Sequence, residues 1–219
     1  MDTKNNINKS ETLLFIVGSL LLVISFLLFH YEKILEVSND IYNSIQSEIY
    51  KESTSSTKIS VNVNVNYVET NDTNQVIKEK KYTPNYIGFI EIDKINLKQG
   101  FLAKDNYYNQ VDYNIQVLKI SDYPDVLGGN LILASHSGNS SISYFKKLYK
   151  VELGDIAKIY YNSNLYQYKV VNIYKEIKDG SVNIYRDFNK TTLTLITCSK
   201  NDKEHQTIYI LELIGVESY

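Results

Sequence analysis

Few residues in this chain of 219 carry obvious chemistry: one cysteine, three histidines and a single arginine, Arg186. Cys198 ends the apolar run Leu193-Thr194-Leu195-Ile196-Thr197, and His136 follows Leu131-Ile132-Leu133-Ala134-Ser135 to open the polar loop Ser137-Gly138-Asn139. A side chain at a strand end is held by its sheet and still faces a cleft or solvent, which suits a reacting group. A thiolate attacks a carbonyl carbon, and an imidazole pairs with it and later protonates the departing amine. The stretch of sequence between the two is no obstacle, because they need only meet in space. His30 borders a long apolar run and His205 lies in a charged loop, which leaves His136 as the partner. A plainer description fits the same residues, with the cysteine as a small buried hydrophobe and the histidine as a satisfied loop residue. Residue type alone leaves both open.

The elements that must position these residues are β-strands. From Tyr86 onward come the short runs Tyr86–Ile92, Ile95–Leu102, Tyr113–Ile120, Asn130–Ala134, Ile156–Tyr161, Tyr166–Tyr174, Thr192–Thr197 and Thr207–Ile214, rich in Ile, Val, Tyr and Thr. Such residues fit a pleated, half-buried surface. Gly128-Gly129, Asp179-Gly180 and Asn162-Ser163-Asn164 punctuate the runs, the last as a hairpin turn. Eight strands with little helix predict a mainly β domain, a closed barrel or a sandwich. One short helix is predicted over Ser141–Tyr149, capped by Ser140 or Ser141, with Tyr144, Phe145 and Leu148 as its apolar stripe.

Upstream, Thr12–Phe29 is an uncharged run of about 18 residues, roughly 27 Å of helix, which matches the hydrocarbon core of a bilayer. It exceeds the apolar stretch of a signal peptide, and His30-Tyr31-Glu32-Lys33 offers no small-residue cleavage site, so it predicts a retained transmembrane anchor. Lys4 and Lys9 face Asp2, Glu11 and Lys33 across a slight charge bias that favours a short cytoplasmic tail over 1–11 and an extracellular domain. Residues 30–82 divide into a juxtamembrane helix over 31–50, the polar linker Glu52–Thr57, a Val/Asn alternation over Val61–Val65 and a polar stretch over 69–82, together a stalk. The folded domain is expected over 83–219. A lone cysteine makes no internal disulfide, and a net charge of −2 gives no electrostatic reason to expect a nucleic acid partner.

Thr194-Leu195-Ile196-Thr197-Cys198 resembles the TLxTC signature of the sortases. Leu131–Gly138, followed by Tyr144-Phe145-Lys146-Lys147-Leu148 and Leu153-Gly154-Asp155, resembles the segment around the sortase histidine, and Gly88–Leu97 resembles that family's opening strands. The likeness runs in order over roughly 86–216, and the anchor fits it too. It implies an eight-stranded sortase-type β-barrel with one or two short helices, outside the membrane of a Gram-positive bacterium. It also implies cleavage of a C-terminal LPxTG-type sorting signal between Thr and Gly, through a thioester that an amine resolves. Carried over, Cys198 is the nucleophile and His136 the general acid and base, with Thr197 and Ser135 beside them in the substrate site. The implied partners are surface proteins bearing the signal, a peptidoglycan precursor or pilin amine, and the lipid bilayer through the N-terminal helix.

No cofactor and no metal are expected. Glu91, Asp122 and Asp125 fit either a cation site in some sortases' manner or scattered surface carboxylates. The sequence departs from the family at one point, since Gln206 stands on the strand after the cysteine where the resemblance implies an arginine. Gln206 is therefore the expected oxyanion donor, with Lys203 as an alternative. Arg186 lies in a loop that shapes substrate entry in the family, or is a solvated loop cation. Two further readings stay open: a thiol protease that hydrolyses its acyl-enzyme, and a non-catalytic surface barrel that binds or scaffolds.

Overall fold

The structure, a computed structural model, describes residues 9–55 and 84–219. The expectations for Val61–Val65 and for 69–82, and most of the short tail, lie outside the described residues. The chain divides into two compact units, the second being Asn43–Tyr219. Helix α1 (Lys9–Ser55) begins in the first unit and ends in the second. In the first unit Thr12–Tyr31 has a mean hydropathy of 2.8, and among the described residues none of it is buried.

In the second unit eight strands follow: β1 (Gly88–Ile92), β2 (Leu97–Phe101), β3 (Gln116–Val117), β4 (Asn130–Ala134), β5 (Ile156–Tyr161), β6 (Asn164–Ile177), β7 (Thr192–Cys198) and β8 (His205–Ser218). They form one sheet in the order β2-β1-β5-β6-β8-β7-β4-β3, antiparallel except for β4 beside β7. The sheet curls until its edges meet, where Phe101 at the end of β2 bridges Ile115 just before β3. Buried Gln99 donates to Asn114 Oδ1 at 2.7 Å across that seam. The result is the predicted eight-stranded barrel, nearly closed, and closure removes the exposed strand edges that invite aggregation. β3 is shorter than the expected Tyr113–Ile120, in part because a side chain does the pairing. Asn109 accepts from Val117 N at 2.7 Å and donates to Val117 O at 2.8 Å, as a neighbouring strand would.

Alternation sorts each strand's residues between two apolar clusters. Leu131 and Leu133, Leu193 and Leu195, and Tyr209 and Leu211 point into the barrel, with Phe101, Ile159 and Tyr168. Ile132, Ile196, Ile208 and Ile210 point outward into a second cluster, which Val182 and Ile184 of the β6–β7 connection cover. This double burial explains why β4 and β7 read as nearly unbroken apolar runs.

The helix predicted over Ser141–Tyr149 does not form. The segment is a series of turns ending in a 3₁₀ turn, Leu148–Lys150. An α-helix would bond the Phe145 amide to the carbonyl of residue 141, whereas here it donates to His136 O at 3.1 Å. Phe145 and Leu148 are fully buried, so the apolar stripe was real, but it plugs the barrel from a turn.

Within the second unit, the last turns of α1 pack on the barrel. Asn43 and Ser47 are buried, and Tyr50 donates its hydroxyl to Ile87 O at 2.7 Å while its ring meets Phe89 at 5.3 Å. Lys51 stands 4.1 Å from the centre of the Tyr160 ring.

Candidate active site

β4 and β7 run parallel with Ala134 opposite Ile196, and Ser135 N continues the ladder by donating to Ile196 O at 3.2 Å. In that register His136 and Cys198 leave the same end of neighbouring strands. Both continue the outward alternation of Ala134 and Ile196. The next strand carries the row on, because Gln206 is the cross-strand partner of Cys198 and Glu176 on β6 is the partner of Gln206. Side chains opposite one another on adjacent strands share a face. One outward-facing row therefore holds His136, Cys198, Gln206 and Glu176, on the side that the β6–β7 connection flanks.

Thr197 and Ser135 are buried on the other parity. Thr197 Oγ1 donates to Ser135 O at 2.9 Å, and Ser137 Oγ donates to Cys198 O at 2.8 Å. The Thr197 and Ser137 hydroxyls lock the two strand ends together, which keeps histidine and cysteine in step. At the other end of the same strands Asn130 Oδ1 accepts from Thr192 and Thr194, each at 3.0 Å.

His136 Nε2 lies 3.2 Å from Asp112 Oδ1, with both side chains open to solvent. A carboxylate on one ring nitrogen orients an imidazole and stabilises its protonated form, and leaves the other nitrogen for a reacting group. Cys198 is half-buried, so its sulfur is reachable. Lys178, just past the end of β6, brings its ammonium to 3.5 Å from Cys198 Sγ. Neither Asp112 nor Lys178 was singled out in the sequence. Each is a charged residue in a polar loop, with no spacing signal to mark it.

Gln206 shares the row of Cys198, but its side-chain amide donates to Ser181 O at 2.7 Å. The Ser181 turn is fastened in turn by Asp179 Oδ1, which accepts from Ser181 Oγ at 2.7 Å and Ser181 N at 2.9 Å, bonds that hold the Asp179 carboxyl below its usual range. Gln206 thus ties the β6–β7 connection down beside the cysteine. Lys203 is exposed on the β7–β8 loop. In that loop His205 Nδ1 lies 2.9 Å from Asp202 Oδ1, and this hydrogen bond keeps the Asp202 carboxyl low.

Arg186 does not join the row. It donates to Gly128 O at 3.0 Å and Lys190 O at 3.2 Å, carbonyls that precede β4 and β7. Six residues of strand, about 20 Å, separate that end from Cys198. There Arg186 and Phe188 help line a groove of about 510 Å³ with Tyr185, Ile184 and Ile210. The three carboxylates considered for a cation have separate partners. Glu91 faces Lys51 and Lys158, Asp122 accepts from Asn130 N, and Asp125 accepts from Asn162.

A family model described as "Sortase domain" matches residues 90–213. Among solved structures, the chain is similar to a sortase D5 transpeptidase of Clostridium perfringens, at 24% identity over 59% of this chain and 79% of that one with a TM-score of 0.51. It is also similar to sortase A of Listeria monocytogenes, at 23% identity over 61% and 90% with a TM-score of 0.51. A lid mutant of sortase A from Corynebacterium diphtheriae superposes with a TM-score of 0.54 at 20% identity, over 64% and 75%. At these identities the likeness speaks to the barrel fold. Among curated proteins, no sequence matches the chain.

Proposed function

The chain belongs to the sortase family of cysteine transpeptidases, and from that premise we propose that Cys198 is its nucleophile, His136 its proton carrier, and a C-terminal LPxTG-like sorting signal its substrate. The sulfur attacks the threonine carbonyl carbon while the thiol proton passes to His136; a C–S bond forms and the carbonyl electron pair moves to oxygen. Collapse breaks the C–N bond to glycine, and the imidazolium gives its proton to the departing amine. The thioester is then attacked by a cell-wall or protein amine, whose proton returns through His136 to the sulfur as the C–S bond breaks. One amide is exchanged for another with no net redox change. Asp112 orients the imidazole. Helix α1 anchors the enzyme in the bilayer through Thr12–Tyr31, with the barrel outside.

What supports this reading most is the register that sends Cys198 and His136 from the same end of β7 and β4 onto one face. The test is to incubate the full chain in detergent micelles with an LPxTG-like peptide and an amine. An acyl adduct on Cys198 and an amine conjugate of the peptide are expected, both absent in Cys198→Ala. If wild type and Cys198→Ala behave alike, the reading fails. Release of free acid alone, whatever the amine, would make the protein a thiol protease instead.

A further inference from the structure

Tetrahedral intermediates of acyl transfer carry an oxyanion, and a site that forms one twice per turnover gains most from a positive charge or hydrogen-bond donors aimed at it. Gln206, the residue of β8 nearest the sulfur in register, is neutral and holds Ser181 O. The single guanidinium, Arg186, is bound to Gly128 O and Lys190 O at the far end of the strands. One ammonium does reach the sulfur. Lys178 Nζ is 3.5 Å from Cys198 Sγ, within donor range for sulfur.

We propose that Lys178 supplies the positive charge of this active site, stabilising the oxyanion formed beside Cys198. The inference rests on the reading of Cys198 given above and adds to it the residue that carries the charge. Its backbone is fixed, because Lys178 N donates to Glu204 O at 2.7 Å and so joins the end of β6 to the β7–β8 loop. Lys178 lies two residues beyond Glu176, the β6 member of the outward row, so strand alternation directs it to the same face. Among the described residues its ammonium makes no ion pair that would draw it away. An ammonium also has three N–H donors, enough to hold the sulfur and an oxyanion together. The charge that the resemblance implies on β8 is delivered here from the neighbouring strand end.

Two readouts on the full chain test this, one of them independent of the peptide. The first is the ratio of Cys198 alkylation rates with anionic iodoacetate and neutral iodoacetamide. A unit charge about 4 Å from the sulfur favours the anionic reagent by about fivefold even in a water-like dielectric, so Lys178→Met lowers the ratio by that factor and Lys178→Arg keeps it. The second is acyl-adduct formation with the LPxTG-like peptide. Lys178→Met is expected to slow it about 10²-fold, and Gln206→Arg in the Lys178→Met background to recover part of the loss. A ratio and an acylation rate both unchanged in Lys178→Met would overturn the proposal, while loss of the adduct in Cys198→Ala would leave the transpeptidase reading intact. If the wild type alkylates but takes no acyl group from the peptide, the substrate reading falls. The ratio then decides alone, a fall supporting the placement of the charge and no change refuting it.

Discussion

The pairing of His136 with Asp112 shows how little a short distance says without its surroundings. At 3.2 Å the two could form a strong orienting bond, yet their side chains are 41% and 74% exposed, so water and salt screen the interaction. Exposed ion pairs contribute up to about 1 kcal/mol, far less than a carboxylate sealed beneath its imidazole. Asp112→Asn is therefore expected to lower the rate of transpeptidation about fivefold rather than abolish it, and 0.5–1 M salt should shrink the difference between variant and wild type. A loss of several orders of magnitude, insensitive to salt, would show that substrate closes over the pair and dries it. The cysteine needs no such help in its placing. The Thr197 and Ser137 hydroxyls, donating to the Ser135 and Cys198 carbonyls, and the Ser135 amide, donating to Ile196 O, fix the strand ends that carry it and His136.

At the scale of elements, the last turns of α1 are held to the barrel by groups whose protonation matters. Burial pushes the Tyr50 hydroxyl up to about 12 from the usual 10.0, with the neighbouring Tyr219 and Tyr161 adding to the shift. The packed state prefers the neutral phenol, which donates to Ile87 O. A raised folded-state value means this contribution is complete below pH 10 and is lost as the pH climbs from 10 through 12. Glu48, Lys51, Lys98 and Glu91 face the same seam, and the Tyr160 hydroxyl beside Lys51 is itself pushed up by burial, so the Tyr50 contribution is read as the difference between wild type and Tyr50→Phe. Subtilisin cleavage within Asn43–Ser55 should thus accelerate across that interval in the wild type. In Tyr50→Phe it should start about fivefold faster at neutral pH, the worth of about 1 kcal/mol of hydrogen bond, and rise less steeply. Equal profiles would mean the hydroxyl contributes nothing to the contact.

The same scale separates what the sequence reveals from what it hides. β4 and β7 are legible because burial on both faces writes an apolar run, and the strand-end positions of His136 and Cys198 follow from it. The helix expected over Ser141–Tyr149 is not, because Tyr144, Phe145 and Leu148 have a spacing that suits a helix and a chain of turns equally. What decides is the bond from Phe145 N to His136 O, a tertiary event. Asp112 and Lys178 are hidden for a related reason. Charged loop residues have no periodicity, and only the pairing order of the sheet, β6 on β8 and β3 on β4, brings the loop before β3 and the end of β6 to the row that Cys198 and His136 share.

For the molecule as a whole, the decisive test exploits its single cysteine. Thr12–Tyr31 is a helix of mean hydropathy 2.8, unburied among the described residues, and such a surface left in water would cost far more than inserting it in lipid. The full chain is expected to remain with membranes after carbonate extraction. An aspartate near the middle of a span costs about 3 kcal/mol, so Leu20→Asp combined with Leu21→Asp should move the protein to the soluble fraction without changing the alkylation of Cys198. Orientation is read at the same thiol. Because Cys198 is the only cysteine and is half-buried rather than sealed, a membrane-impermeant maleimide can label the protein at one place alone. Labelling in intact cells, once the cell wall is opened enzymatically, would put the barrel outside, where a sorting signal and a cell-wall amine can meet it. Labelling only after the membrane is broken would put it inside, and the proposed substrates with it would have to be abandoned, although the fold and the pairing of Cys198 with Lys178 would stand.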